Sequence, residues 1–148
     1  MNVKTSPKGF TLVELLIVVA IIGIIAAIAI PNLLNAVDKG KQKRTMADMR
    51  SISTGIETYA IENVNYPIAA TNAALRSAIE PSYMARMPMS DGWSNPYQVD
   101  STASAYTIYS QGKDGAGTNC ATGTTSNFND EICVVGGIFQ RYPVGIQQ

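Results

Sequence analysis

Residues Phe10 to Ile30 read FTLVELLIVVAIIGIIAAIAI, an apolar run whose only charge is Glu14. A helix of about 20 apolar residues spans a bilayer, so this segment is expected to cross a membrane. A carboxylate inside such a segment costs about 2.5–3.5 kcal/mol on insertion scales. Glu14 therefore needs a partner, and no cation lies within the run. Its position near the helix end also allows it to snorkel to the membrane surface.

The nine residues before the run, MNVKTSPKG, are polar and carry Lys4 and Lys8. Two lysines on this flank favour a cytoplasmic start. An ordinary secretory signal is cut after its apolar segment, at small residues. The stretch PNLLNAV after Ile30 offers no convincing site of that kind. The unusual junction lies before the run, at Gly9–Phe10.

KGFTLVELLIVVAIIGIIAAIAIP resembles the N-terminus of type IV pilins and of the pseudopilins of type II secretion. The resemblance is close from Lys8 to about Asn32. It implies that a prepilin peptidase cuts between Gly9 and Phe10 and N-methylates Phe10. It also implies that Glu14, fifth in the mature chain, neutralises the terminal amine of a neighbouring subunit during assembly.

The organisation expected from this start is a cleaved leader (1–9), a hydrophobic transmembrane or filament-core helix (10–31), an amphipathic half of the same helix (32–64) and a head (65–148). Pro31 removes one helical hydrogen bond and clashes one turn back, so a kink or local melting is expected there. Beyond it, Met49, Ile52, Ile56 and Tyr59 recur at spacings of 3 and 4, which predicts an apolar stripe packed on the head. The helix is expected to reach about Asn63, about 80 Å at 1.5 Å per residue. A second helix over Thr71–Ile79 follows, with Thr71 as N-cap. Short strands are expected at Tyr97–Val99, Tyr106–Tyr109 and Val134–Phe139. Tyr106 and Tyr109 are read on one face of the second strand, with Ile108 on the other. The fold class is α+β: a long N-terminal α-helix packed on a small antiparallel β-sheet head, the pilin lollipop.

The chain has no histidine, which removes the commonest general base and metal ligand. No Walker A, G-x-S-x-G or dinucleotide motif occurs, so an enzyme is not expected. Residues 1–50 carry seven Lys/Arg against three Asp/Glu, and residues 51–148 four against eight. The basic cluster Lys39, Lys41, Lys43, Arg44 and Arg50 reads as a solvated helix face, or as a contact for headgroups or an acidic neighbouring head. No basic stripe lies beside stacking aromatics, so no nucleic-acid partner is expected.

Between Tyr109 and Val134 runs SQGKDGAGTNCATGTTSNFNDEIC. A loop of that length needs a tie if it is to be ordered. Cys120 and Cys133 are the only cysteines. A periplasmic or extracellular location permits a disulfide between them, contributing about 3 kcal/mol in the chain-entropy model. Two free thiols are the alternative, and two cysteines without histidine do not make a zinc site. No cofactor is required, but calcium is a candidate second tie. Asp114, Asn127, Asn129, Asp130 and Glu131 supply hard oxygens, and Gly112, Gly115 and Gly117 let carbonyls turn inward; calcium takes six to eight such ligands. Turn formation by the Asp and Asn residues is the alternative.

SDGWSNPYQV resembles the Trp-Gly-Asn-Pro-Tyr stretch of the major pseudopilins of type II secretion, and SQGKDG followed by NDEI resembles their calcium loop. That resemblance implies Asp114, Asp130 and Glu131 as side-chain ligands. Ser94 follows Trp93 where glycine is usual, and Glu131 stands in place of an aspartate. The inserted ATGTTSNFN and the cysteine pair are not typical of those proteins. A cysteine pair bracketing a C-terminal loop is instead a feature of type IVa major pilins.

The leading expectation is a structural subunit that polymerises into a helical type IV pilus-like filament. Heterologous, non-closing contacts between copies would build it. Its expected partners are copies of itself, the prepilin peptidase, an inner-membrane assembly platform and membrane lipid before assembly. Its expected location is the inner membrane as a single-pass protein, then an extracellular pilus or periplasmic pseudopilus. The alternative is a calcium-stabilised major pseudopilin driving protein export. A third reading, a membrane-tethered module for DNA uptake, is disfavoured by the lack of a basic, aromatic head surface.

Overall fold

The computed structural model describes residues 9–118, 120–145 and 147. All but the last residue of the expected leader lies outside the described residues. The chain divides into two units, Met1–Ala36 and Val37–Gln148.

Helix α1 (Leu12–Asn63) is the longest element, at 52 residues. Pro31 sits in its interior without ending it, so the local melting expected there does not occur. Proline removes a single N–H from the ladder, and the Ala, Ile and Leu residues on either side retain the helical path. Within the first unit, the large apolar side chains from Phe10 to Ile30 are 47–86% exposed. Nothing among the described residues covers them. This is the one described helix long and apolar enough to cross a membrane, judged by length and composition.

In the second unit α1 buries Met49, Ile52 and Ile56 completely and Tyr59 in part. The predicted stripe is therefore core. It also extends toward the N-terminus through Asp38, Gln42 and Thr45, all buried, at the same alternating spacing of 4 and 3. A reading based on hydrophobicity stops at Met49 because the continuation is polar. At its C-terminal end α1 runs into Val64, which adopts φ +64°. The left-handed turn is a common helix exit, although glycine usually occupies it.

Helix α2 (Asn72–Ile79) matches its prediction, with the Thr71 hydroxyl accepting from Ala74 N at 3.3 Å. Five strands follow: β1 (Gln98–Ser101), β2 (Tyr106–Ser110), β3 (Gly123–Thr125), β4 (Ile132–Val135) and β5 (Ile138–Pro143). They form one sheet in the order β1-β2-β4-β5-β3. The fold is α+β, as expected, but the sheet is mixed, because β3 pairs parallel to β5. All other pairs are antiparallel.

The expected strand Val134–Phe139 is in fact a hairpin. Gly136 (φ +55°) and Gly137 (φ +78°) make a two-residue turn between β4 and β5. Two consecutive positive φ values suit the right-handed strand twist, and Gly-Gly supplies them without steric cost. On β2 the burial alternates, with Tyr106, Ile108 and Ser110 inward and Tyr109 half-buried opposite. The two tyrosines therefore face opposite ways, as a period of 2 requires for residues three apart. The core joins Ile108, Ile132 and Val134 of the sheet to Met49, Ile52 and Ile56 of α1, with Leu75 and Ile79 of α2.

Candidate functional site

Gly9 and Phe10, the expected processing junction, are both exposed. Thr11 caps α1, and Glu14 stands three residues later. Thr11 N and Thr11 Oγ1 both donate to Glu14 Oε2 at 2.8 Å, and Glu14 N donates to Thr11 Oγ1 at 3.2 Å. This reciprocal pattern is a capping box, which satisfies helix N-terminal donors that would otherwise lack partners. Glu14 thus has a local role within its own chain, through Thr11, the residue that follows Phe10. The sequence T-L-V-E carries the capping-box signal, which the charge-in-lipid reading passed over.

The second feature is the Ser90–Tyr97 loop. The Asp91 carboxylate is buried, with 2% exposure. Its Oδ1 accepts from Trp93 N and Asn95 N, both at 2.9 Å, and its Oδ2 accepts from Ser110 Oγ at 2.6 Å. Three donors offset the desolvation of a buried carboxylate. Ser94 closes the turn at φ +74°, at the position where the resemblance leads one to expect glycine.

This loop docks on the polar end of the α1 stripe. Gly92 N donates to Thr45 Oγ1 at 2.9 Å, and Gly92 lies so close to the Lys41 backbone carbonyl that a Cβ would overlap it. Trp93 Nε1 and Lys113 Nζ donate to the two oxygens of Asp38, at 3.0 and 2.8 Å. Burial alone would raise the Asp38 pKa. The hydrogen bonds from Lys113 and Trp93, with the charges of Lys113 and Lys41, outweigh burial and hold the carboxyl below its ordinary range. Asn95 Nδ2 extends the network to Gly112 O at 2.7 Å. Asp38 and Asp91 were not singled out from the sequence. The register of Asp38, Gln42 and Thr45 with Met49 was the available signal for the first.

In the C-terminal loop Cys120 and Cys133 form a disulfide, with Cα atoms 5.6 Å apart. The three expected calcium ligands are not brought together. Asp114 is exposed, and its Oδ1 accepts from Ala116 N within its own turn at 3.1 Å. Asp130 Oδ2 accepts from Asn127 N and Ser126 Oγ, both at 3.1 Å, and Asp130 Oδ1 faces Arg141 Nη2 at 3.3 Å. Glu131 pairs with Arg141 Nη1. Among the described residues no group of three acidic or sulfur ligands could hold a metal.

Comparison with known proteins places these features. The profile of the family described as type II secretion system, protein G, matches residues 32–127. The prokaryotic N-terminal methylation motif matches residues 4–30. The chain belongs to the type II secretion system protein G family. Among its relatives, the type II secretion system core protein G of Aeromonas hydrophila is 33% identical over 132 residues, covering 78% of this chain and 90% of the relative. The same-named protein of Vibrio cholerae is 32% identical over 130 residues, covering 78% and 88%. That of Escherichia coli K12 is 29% identical over 130 residues, with the same coverage. No solved structure matches this chain.

Family membership favours the pseudopilin over the extracellular pilus, reversing the order in which the sequence ranked them. The loop cysteines tilted that ranking, whereas the protein G match spans the amphipathic half of α1 and the Trp93 loop. The match stops at Asn127, short of Asp130, Glu131 and the β4–β5 hairpin.

Proposed function

We propose that the processed chain is the repeating subunit of a periplasmic pseudopilus that drives protein export. The carrying observation is the protein G match over residues 32–127, joined to an uncovered apolar helix that begins beside Glu14. Prepilin peptidase cuts at Gly9–Phe10 and methylates Phe10. The subunit waits in the inner membrane with its apolar helix in lipid. An inner-membrane platform then adds it to the filament, where neighbouring helices replace lipid around Phe10–Ile30. During addition Glu14 exchanges its Thr11 hydrogen bonds for the terminal amine of a neighbour.

The test is deletion of the gene in its native host, followed by assay of secreted protein and of filaments sheared from the cells. Loss of secretion with no sheared filaments in the wild type supports the proposal. Sheared filaments built of Phe10–Gln148, with secretion intact in the deletion strain, would establish the extracellular pilus instead. That second reading rests on the Cys120–Cys133 disulfide. In the same strain, Glu14→Val should still be cut at Gly9–Phe10, because cleavage precedes assembly, yet fail to restore export.

A further inference from the structure

We propose that Arg141 serves as the resident cation of the C-terminal loop, in the role for which calcium was the candidate. The inference stands on side-chain geometry and does not depend on which filament the subunit builds.

The loop gathers two carboxylates, Asp130 and Glu131, with side chains 18% and 16% exposed. Such a pair repels itself unless a cation lies between them. The Arg141 guanidinium meets both, Nη2 toward Asp130 Oδ1 at 3.3 Å and Nη1 on Glu131 Oε2, and is itself only 20% exposed. A planar guanidinium presents several donors in a fixed fork, so one side chain can bridge two carboxylates. The negative charge left over is met by the Asn127 N–H and the Ser126 hydroxyl on Asp130 Oδ2.

Arg141 reaches this place because of the hairpin. The Gly136–Gly137 turn folds β5 back so that Arg141 registers with Cys133 on β4 and with Gly123 on β3. The guanidinium therefore sits at the base of the loop that the disulfide closes. Two constraints, one ionic and one covalent, hold the same segment.

Several of the other oxygens that calcium would need are engaged elsewhere. Gly112 O accepts from Asn95 Nδ2 at 2.7 Å and Gly117 O from Gln111 Nε2 at 2.8 Å. Gly117 packs so tightly on the Glu131 side chain that a Cβ there would overlap it, which leaves Glu131 little room to swing. Asn127 Oδ1 accepts from Asn129 N and Asp130 N, at 2.8 and 3.2 Å. Calcium requires six to eight converging oxygens, and these residues do not supply that set.

The test is thermal unfolding of the full processed chain in detergent micelles, disulfide intact, followed by Trp93 fluorescence. Melts are recorded in excess calcium chloride and in excess chelator. The expected midpoints agree within about 1 °C, whereas saturating calcium on a real site would raise the midpoint by about 10 °C or more. Arg141→Gln is expected to lower the midpoint by about 5 °C or more in both conditions, with Arg141→Lys between it and wild type. A calcium-dependent rise in the wild type overturns the proposal, and so does an Arg141→Gln midpoint equal to wild type. If Arg141→Gln does not fold, the wild-type pair of melts decides alone.

Discussion

Trp93 Nε1 donates to Asp38 Oδ1 at 3.0 Å across 55 residues of sequence. The bond fastens the Asp91–Asn95 turn to the first buried residue of the amphipathic half of α1, while Lys113 Nζ approaches the other Asp38 oxygen. One carboxylate thus joins helix, turn and C-terminal loop. Asp38→Ala should lose about 2 kcal/mol, because a half-buried indole N–H is left without its acceptor. Asp38→Asn keeps an acceptor and should lose roughly half as much. Urea unfolding followed by fluorescence checks this directly, since Trp93 is the only tryptophan. Equal midpoints for wild type and Asp38→Ala would show that the bond contributes nothing to stability.

Acid should loosen the same region. Asp38 is held below the ordinary carboxylate range despite burial. At Asp130, burial also acts upward but is outweighed by the Ser126 and Asn127 N–H groups, the Ser126 hydroxyl and Arg141. Unfolded aspartates titrate near about pH 3.9, so below that pH the unfolded chain binds more protons than the folded one. The stabilisation is fully present above about pH 4 and is lost as pH falls through the lower folded values. Urea midpoints measured from pH 7 down to pH 3 should fall at the acid end. Asp38→Asn should flatten that fall, and an unchanged slope would remove Asp38 from the account.

Two residues with side chains occupy backbone conformations that glycine tolerates better. Ser94 has φ +74° and Val64 has φ +64°. An L-residue pays about 1–2 kcal/mol in the left-handed region, of which the added freedom of unfolded glycine returns about half. Ser94→Gly and Val64→Gly should each stabilise by roughly 0.5–1 kcal/mol. A lower urea midpoint for either variant would mean that its side chain contributes more than its conformation costs.

Gly92 poses the opposite problem. Its φ needs no glycine, but a Cβ would overlap the Lys41 backbone. Backbone cannot rotate aside as a side-chain tip can. Gly92→Ala should therefore cost about 3 kcal/mol, the upper range for overpacking. It should also shift Trp93 emission to the red as the turn lifts from α1. A blue or unshifted spectrum would contradict the docking.

Some of this was legible in the residue order because the controlling forces are local. The apolar run, the Met49–Tyr59 stripe and the Thr71 cap each follow from spacing within a few turns of helix. Pro31 illustrates the limit of such rules, since losing one hydrogen bond does not break a helix that its neighbours favour. The β4–β5 hairpin was missed although Gly136-Gly137 is a strong turn signal, because the apolar residues on both sides read as one strand. Missing that turn also hid Arg141, whose position is set by register with Cys133 rather than by any local motif. The acidic residues of the loop drew attention to calcium as a candidate, whereas the pairing of Asp130 and Glu131 with Arg141 comes from a strand about ten residues away and has no local signal.

The sequence by itself determined the N-terminal methylation motif, the membrane-length helix carrying Glu14 and the α+β class, since these depend on residue order and on periodicities of 3.6 and 2. Only the tertiary structure decided which polar groups meet. Asp38, Asp91 and Arg141 are ordinary surface residue types, and each is buried or half-buried because a donor or carboxylate from another segment (Trp93 and Lys113, Ser110, and Asp130 with Glu131, respectively) helps compensate its desolvation. That compensation exists only once the chain has folded, so no local pattern announces it.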